Sequence, residues 1–75
     1  MKFANITCNP AVMSGKPCIR GLRVAVSTII GLLGSGESRE RILSAYPYLR
    51  REDIDESLEF AAWRLREPEA WLDDL

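Results

Sequence analysis

Seventy-five residues make one domain, and a domain of this size buries only about 60–65% of the surface its unfolded chain exposes, so its core is marginal by itself. An apolar content of 47% excludes a disordered chain, and two cysteines with no histidine exclude a zinc staple or a histidine-activated nucleophile. The net charge of −1 hides a division: residues 1–51 hold eight Lys/Arg against two acids, and residues 52–75 hold two against nine. That division predicts a basic front able to meet phosphate and an acidic rear able to meet a basic protein.

Residues 1–5 lack the apolar stretch of a signal peptide, and no segment reaches the roughly 18 apolar residues of a membrane helix, so the chain reads as cytoplasmic. Residues 5–25 are rich in turn formers: Asn9-Pro10, Ser14-Gly15, Lys16-Pro17 and Arg20-Gly21. Short extended pieces are expected around Ile6, Cys18-Ile19 and residues 22–26, with Arg20-Gly21 turning a tight hairpin because Gly tolerates positive φ. Cys8 and Cys18 lack a secretory context and read as reduced cysteines packed as small hydrophobes.

Three helices are predicted over residues 26–67. The first takes Ser27 as its N-cap, turns Val26, Ile29, Ile30 and Leu33 inward, and stops at Gly34-Ser35-Gly36. The second starts from Ser38 as N-cap, with Glu40 in its first turn; it buries Ile42, Leu43 and Tyr46, and Pro47 ends it. The third runs over residues 52–66, and Ile54, Leu58, Ala61, Ala62 and Leu65 form its expected core stripe. On that helical wheel Phe60 and Trp63 point away from the core, which predicts an interface with a second copy or a partner. Trp71 and Leu72, beyond Pro68, are expected to anchor a short acidic tail. The fold class is therefore mainly α: a three-helix, helix-turn-helix-like bundle preceded by a small β-hairpin or extended N-terminal segment. Residues 1–67 form the domain and 68–75 the tail, and the small core predicts a homodimer.

The candidate DNA contacts are Lys16, Arg20 and Arg23 around the hairpin, Arg39 and Arg41 on the second helix, and Arg50 and Arg51 before the third, chiefly to backbone phosphate. Acids in the first turns of the third helix oppose base reading in the major groove. Glu52, Asp55, Glu56 and Glu59 share a helix face at a spacing that suits a divalent cation, but with no histidine and no second carboxylate segment they read as a solvated face. No metal, cofactor or catalytic residue is expected. Gly15-Lys16 lacks the spacing of a phosphate loop, and Ser14, Ser27 and Thr28 have no histidine to activate them, so the chain reads as a non-enzyme.

The run from Asn9-Pro10 through Ser14-Gly15-Lys16-Pro17-Cys18-Ile19-Arg20-Gly21 to Val26 resembles a small prokaryotic family catalogued as domain of unknown function 433. The Tyr46-Pro47 element and the helix opening Glu52-Asp53-Ile54 resemble that family's continuation, so the likeness covers about residues 6–63. It implies a helix-turn-helix-like fold, often dimeric. For many members it also implies the antitoxin half of a toxin–antitoxin pair, binding its own operator DNA as an autorepressor and masking a PIN-like ribonuclease with its C-terminal segment. Three departures stand out: Ser14 at a usual Gly, Leu22 at a usual Thr and Ala25 at a usual Pro. Arg50 also removes the customary side-chain N-cap of the last helix, worth about 1 kcal/mol. The alternative function is a protein–protein adaptor that never touches nucleic acid.

Overall fold

The computed structural model describes residues 3–66. Two short strands, β1 (Ile6–Thr7) and β2 (Cys18–Ile19), pair antiparallel with Ile6 opposite Ile19 and Thr7 opposite Cys18. Three helices follow: α1 (Val26–Gly34), α2 (Arg39–Ala45) and α3 (Arg51–Arg64), each packed on the other two.

The connection from β1 to β2 is dense in turns. Asn9 accepts from the Ala11 N–H through its side chain (2.9 Å) and from the Val12 N–H through its carbonyl (2.8 Å). Met13, Ser14 and Gly15 then all take positive φ (50°, 58° and 83°), so this turn lies in the left-handed region. Ser14 and Met13 carry a Cβ there, at a cost of roughly 1 kcal/mol each. Ser14→Gly is accordingly expected to raise stability by about 0.5–1 kcal/mol, read as a higher urea midpoint; a lower midpoint would show that the serine makes a compensating contact.

After β2 the chain reverses over Arg20 (φ 44°) and Gly21 (φ 75°), and the Leu22 N–H closes on the Ile19 carbonyl at 2.7 Å. Two central residues at positive φ make the tight turn that suits a twisted hairpin. The return limb pairs little: Ile19 donates to Val24, and Cys18 bridges Ala25. The bridge ends at Ala25 because the chain enters α1 there. Ala25 is the N-cap, so Ser27 lies within the first turn instead of capping it. Gly36 (φ 93°) ends the helix: its N–H reaches the Leu33 carbonyl and the Glu37 N–H reaches Leu32, both at 3.0 Å, the paired bonds of a Schellman motif.

Ser38 caps α2 as its sequence predicts, accepting from the Arg41 N–H at 3.1 Å. The core is Phe3, Ile6, Ile19, Val24, Val26, Ile29, Ile42, Leu49, Ile54 and Phe60. On α3 the buried residues are Asp53, Ile54, Ser57 and Phe60, while Leu58 and Leu65 are 37% and 77% exposed. The expected stripe is thus corrected: only Ile54 of its five members is buried, and the helix turns Asp53, Ser57 and Phe60 inward. Polar groups can face the core here because each is satisfied. The Ser57 hydroxyl donates to the Asp53 carbonyl at 2.8 Å, and the Asp53 carboxylate accepts from Arg20 and from the Arg50 N–H. Cys18 is buried beside Met13, with its thiol 3.8 Å from the Met13 sulfur, whereas Cys8 is exposed and does not pack as a small hydrophobe.

Candidate nucleic-acid interface and apolar face

The seven basic candidates do not form one patch. Arg20 is a staple. Its Nε and Nη2 donate to the two Asp53 carboxylate oxygens (3.3 and 3.0 Å), and Nη2 also donates to the Tyr48 carbonyl at 2.9 Å. The Asn5 carbonyl accepts from the Arg20 N–H at 2.8 Å, and the Thr7 hydroxyl accepts from the Gly21 N–H at 2.9 Å, so β1 holds this left-handed turn in register. Burial by itself would raise the Asp53 carboxyl. The Arg20 hydrogen bonds, the Arg50 N–H and the charge of both arginines outweigh it and hold Asp53 below the ordinary value of 3.8. The guanidinium is raised in turn, chiefly by its hydrogen bond to Asp53. Arg50 offers no side-chain oxygen as N-cap of α3, and the Asp53 carboxylate supplies the reciprocal bond to the Arg50 N–H at 2.8 Å.

Three further arginines meet acids near the surface. Arg39 pairs with Asp55 at 2.6 Å, Arg41 with Glu37 at 3.2 Å, and Arg51 with Glu40 at 3.6 Å. Exposed pairs of this kind are worth about 0–1 kcal/mol, so phosphate could displace their acids at little cost. Lys16, Arg23 and Arg50 have no ion pair within the described residues. Their positions differ. Arg50 caps the N-terminal end of α3, and Arg23 follows the turn that delivers Arg20 to that end. Lys16 lines a groove with Arg64 and Leu65 at the other end, about 20 Å away along the helix.

The acidic run of α3 is also engaged within the chain. Asp55 holds Arg39, and Glu56 accepts from the Asn5 backbone N–H (2.8 Å) and side-chain amide (3.0 Å). The front and rear halves of the sequence therefore close on one another through Arg20–Asp53, Arg39–Asp55 and Asn5–Glu56.

Phe60 is a correction to the sequence reading: it is 3% exposed and belongs to the core. Phe3 covers it, edge to face at 5.3 Å between ring centroids, and Trp63 lies 5.7 Å from Phe3 and 5.8 Å from Phe60. Trp63 thus packs on its own N-terminal segment and still exposes 44% of its surface. Arg64 lies over the Phe60 ring at 5.8 Å. Trp71 and Leu72 lie outside the described residues. The apolar surface that sequence reasoning missed is Leu58, Ala62 and Leu65, exposed along one face of α3 and its end and assigned to the core by periodicity. No helix among the described residues is long and apolar enough to cross a membrane.

A hairpin stapled to three helices, with a cationic end and an apolar flank on the last of them, defines a small, mainly helical, helix-turn-helix-like module. The chain belongs to DUF433, a family described as proteins of unknown function, whose profile it matches over residues 6–61. It is similar to the uncharacterized protein y4eO of Sinorhizobium fredii, 39% identical over 49 residues that cover 65% of this chain. The match spans 22% of that relative's length. No solved structure matches the chain.

Proposed function

We propose that this chain is the antitoxin of a toxin–antitoxin pair, a cytoplasmic homodimer that binds a PIN-like ribonuclease and its own operator DNA as autorepressor. The observation that carries the partner-binding half is the apolar flank of α3, where Leu58, Trp63 and Leu65 are 37%, 44% and 77% exposed. Leu58 and Ala62 share one face of the helix, continued by Leu65 at its end, and Trp63 adds apolar surface on a different face, about 140° round from Leu58, in a chain small enough to need external burial. The likeness to DUF433 members that act as antitoxins supports the identity of the partner. For DNA, the cations best placed are Arg23 and Arg50, with Arg51 beside them in a weak exposed pair. They would meet backbone phosphate, since the carboxylates of α3 oppose base contacts.

Fluorescence anisotropy on a labelled duplex at stepped salt tests the DNA half. Replacing Arg23 and Arg50 together by Ala should weaken binding to all sequences alike and reduce the slope of log affinity against log salt by about 2. An unchanged slope overturns the assignment. Co-purification of a stoichiometric ribonuclease from the native host at high salt is the expected result for the toxin half, and a bare homodimer overturns it. A second reading, the adaptor without nucleic-acid binding, is favoured by one finding: four of the seven basic candidates are engaged by acids of the same chain. Absence of any salt-dependent DNA binding would select it.

A further inference from the structure

An open groove of about 570 Å³ runs between α1 and the C-terminal half of α3. Its apolar lining includes Ile30 and Gly31 from α1 and Phe60, Ala61 and Leu65 from the other side, and its cations are Lys16 and Arg64. An apolar slot with positive residues fits an acidic amphipathic segment. The sequence supplies one at that place. Leu65 is part of the wall, so the chain passes Arg66 beside the groove, and the residues that follow are Glu67-Pro68-Glu69-Ala70-Trp71-Leu72-Asp73-Asp74-Leu75. Pro68 opposes helical continuation. The six residues from Leu65 to Trp71 can span up to about 20 Å, while Ala61 to Leu65 rises only about 6 Å, so the chain beyond Leu65 is long enough to reach the groove.

We propose that residues 67–75 seat in the α1–α3 groove of their own chain, with Trp71 and Leu72 against Ile30, Ala61 and Leu65 and the acids toward Lys16 and Arg64. The seat does not depend on the antitoxin reading, and it adds to it: a partner that takes the tail must first draw it out of the groove.

The full-length chain with Trp63→Phe keeps Trp71 as its single tryptophan, because the sequence holds two. Phenylalanine preserves an aromatic packed on Phe3 and Phe60. Trp71 emission should be blue-shifted and resist acrylamide quenching several-fold better than when a carboxylate enters the groove. Gly31 is the site for that carboxylate: a Cβ there meets nothing within 4 Å, so Gly31→Glu leaves the fold intact while repelling an acidic tail. Gly31→Lys fills the same space with the opposite charge and should keep Trp71 shielded. Circular dichroism on both variants separates loss of docking from loss of fold. Free quenching of Trp71 in the Trp63→Phe chain itself overturns the proposal, as does equal shielding in Gly31→Glu and Gly31→Lys. Shielding that grows with protein concentration overturns it too, by placing the tail on a second copy. None of these readouts involves DNA or a ribonuclease, so the proposed function stands or falls separately.

Discussion

Ile54→Ala should lower the unfolding free energy by about 3–4 kcal/mol, whereas Leu58→Ala, one turn further along the same helix, should lower it by less than about 1 kcal/mol. Ile54 is completely buried in the core cluster that also holds Ile19, Ile29 and Ile42. Truncating it removes its transfer free energy and leaves a cavity that three helices and a hairpin close only in part. A chain of this length has about 4–11 kcal/mol of stability in all, so the loss is roughly a quarter or more of the whole. It corresponds to a fall in melting temperature of about 15–20 °C. Leu58 at 37% exposure has little to lose. Urea unfolding followed by circular dichroism checks both, with a shifted midpoint and an unchanged slope as the expected signature. Equal losses for the two variants would mean that α3 is rotated to bury the stripe that its periodicity suggests.

That contrast marks where the sequence could be read and where it could not. Most signals confined to a few neighbours held, with Ser27 as the exception because α1 starts one residue before it, from Ala25 as its N-cap. Ser38 capped α2, Gly36 ended α1, Pro47 followed α2, and Arg20-Gly21 made a tight turn. The facing of α3 was hidden because it is decided by an ion pair between residues 33 positions apart. Periodicity counts apolar residues and cannot see that Arg20 draws Asp53 inward, that Ser57 satisfies itself on the Asp53 carbonyl, or that Phe3 arrives to cover Phe60. The charge split misled for a related reason. Blocks of opposite sign along a chain meet one another on folding as readily as they meet partners, and Arg20 and Arg39 do so. The basic candidates were legible as a composition; which of them remain unpaired was not. Only Lys16, Arg23 and Arg50 of the seven have no acid within the described residues.

The Arg20–Asp53 pair should behave as a coupled unit whose contribution shrinks as pH falls. At pH 7 Asp53→Asn loses charge-assisted hydrogen bonds to Arg20 and weakens the cap on the Arg50 N–H, a loss of about 2 kcal/mol. Arg20→Met should be the more damaging change. It leaves a carboxylate of 1% exposure with the Arg50 N–H as its remaining listener in the fold, and a stranded buried charge is worse than a missing one. The double variant should then lose less than the sum of the two, because asparagine removes the charge that methionine strands. In the native chain Asp53 is held below 3.8, so its contribution is complete above that value and is lost as pH falls through the lowered one. In Arg20→Met, burial dominates and the carboxyl is raised, so the variant is penalised at neutral pH and relieved as the carboxyl takes up its proton. The gap between native and Arg20→Met urea midpoints should therefore narrow as pH falls from 7 toward 3.8. A gap that stays constant, together with additive losses in the double variant, would show that the two residues do not stabilise the fold through one another. Arg20 would then be free to serve as a phosphate contact. On the geometry seen here, its loss should weaken DNA binding only in proportion to the chain that unfolds.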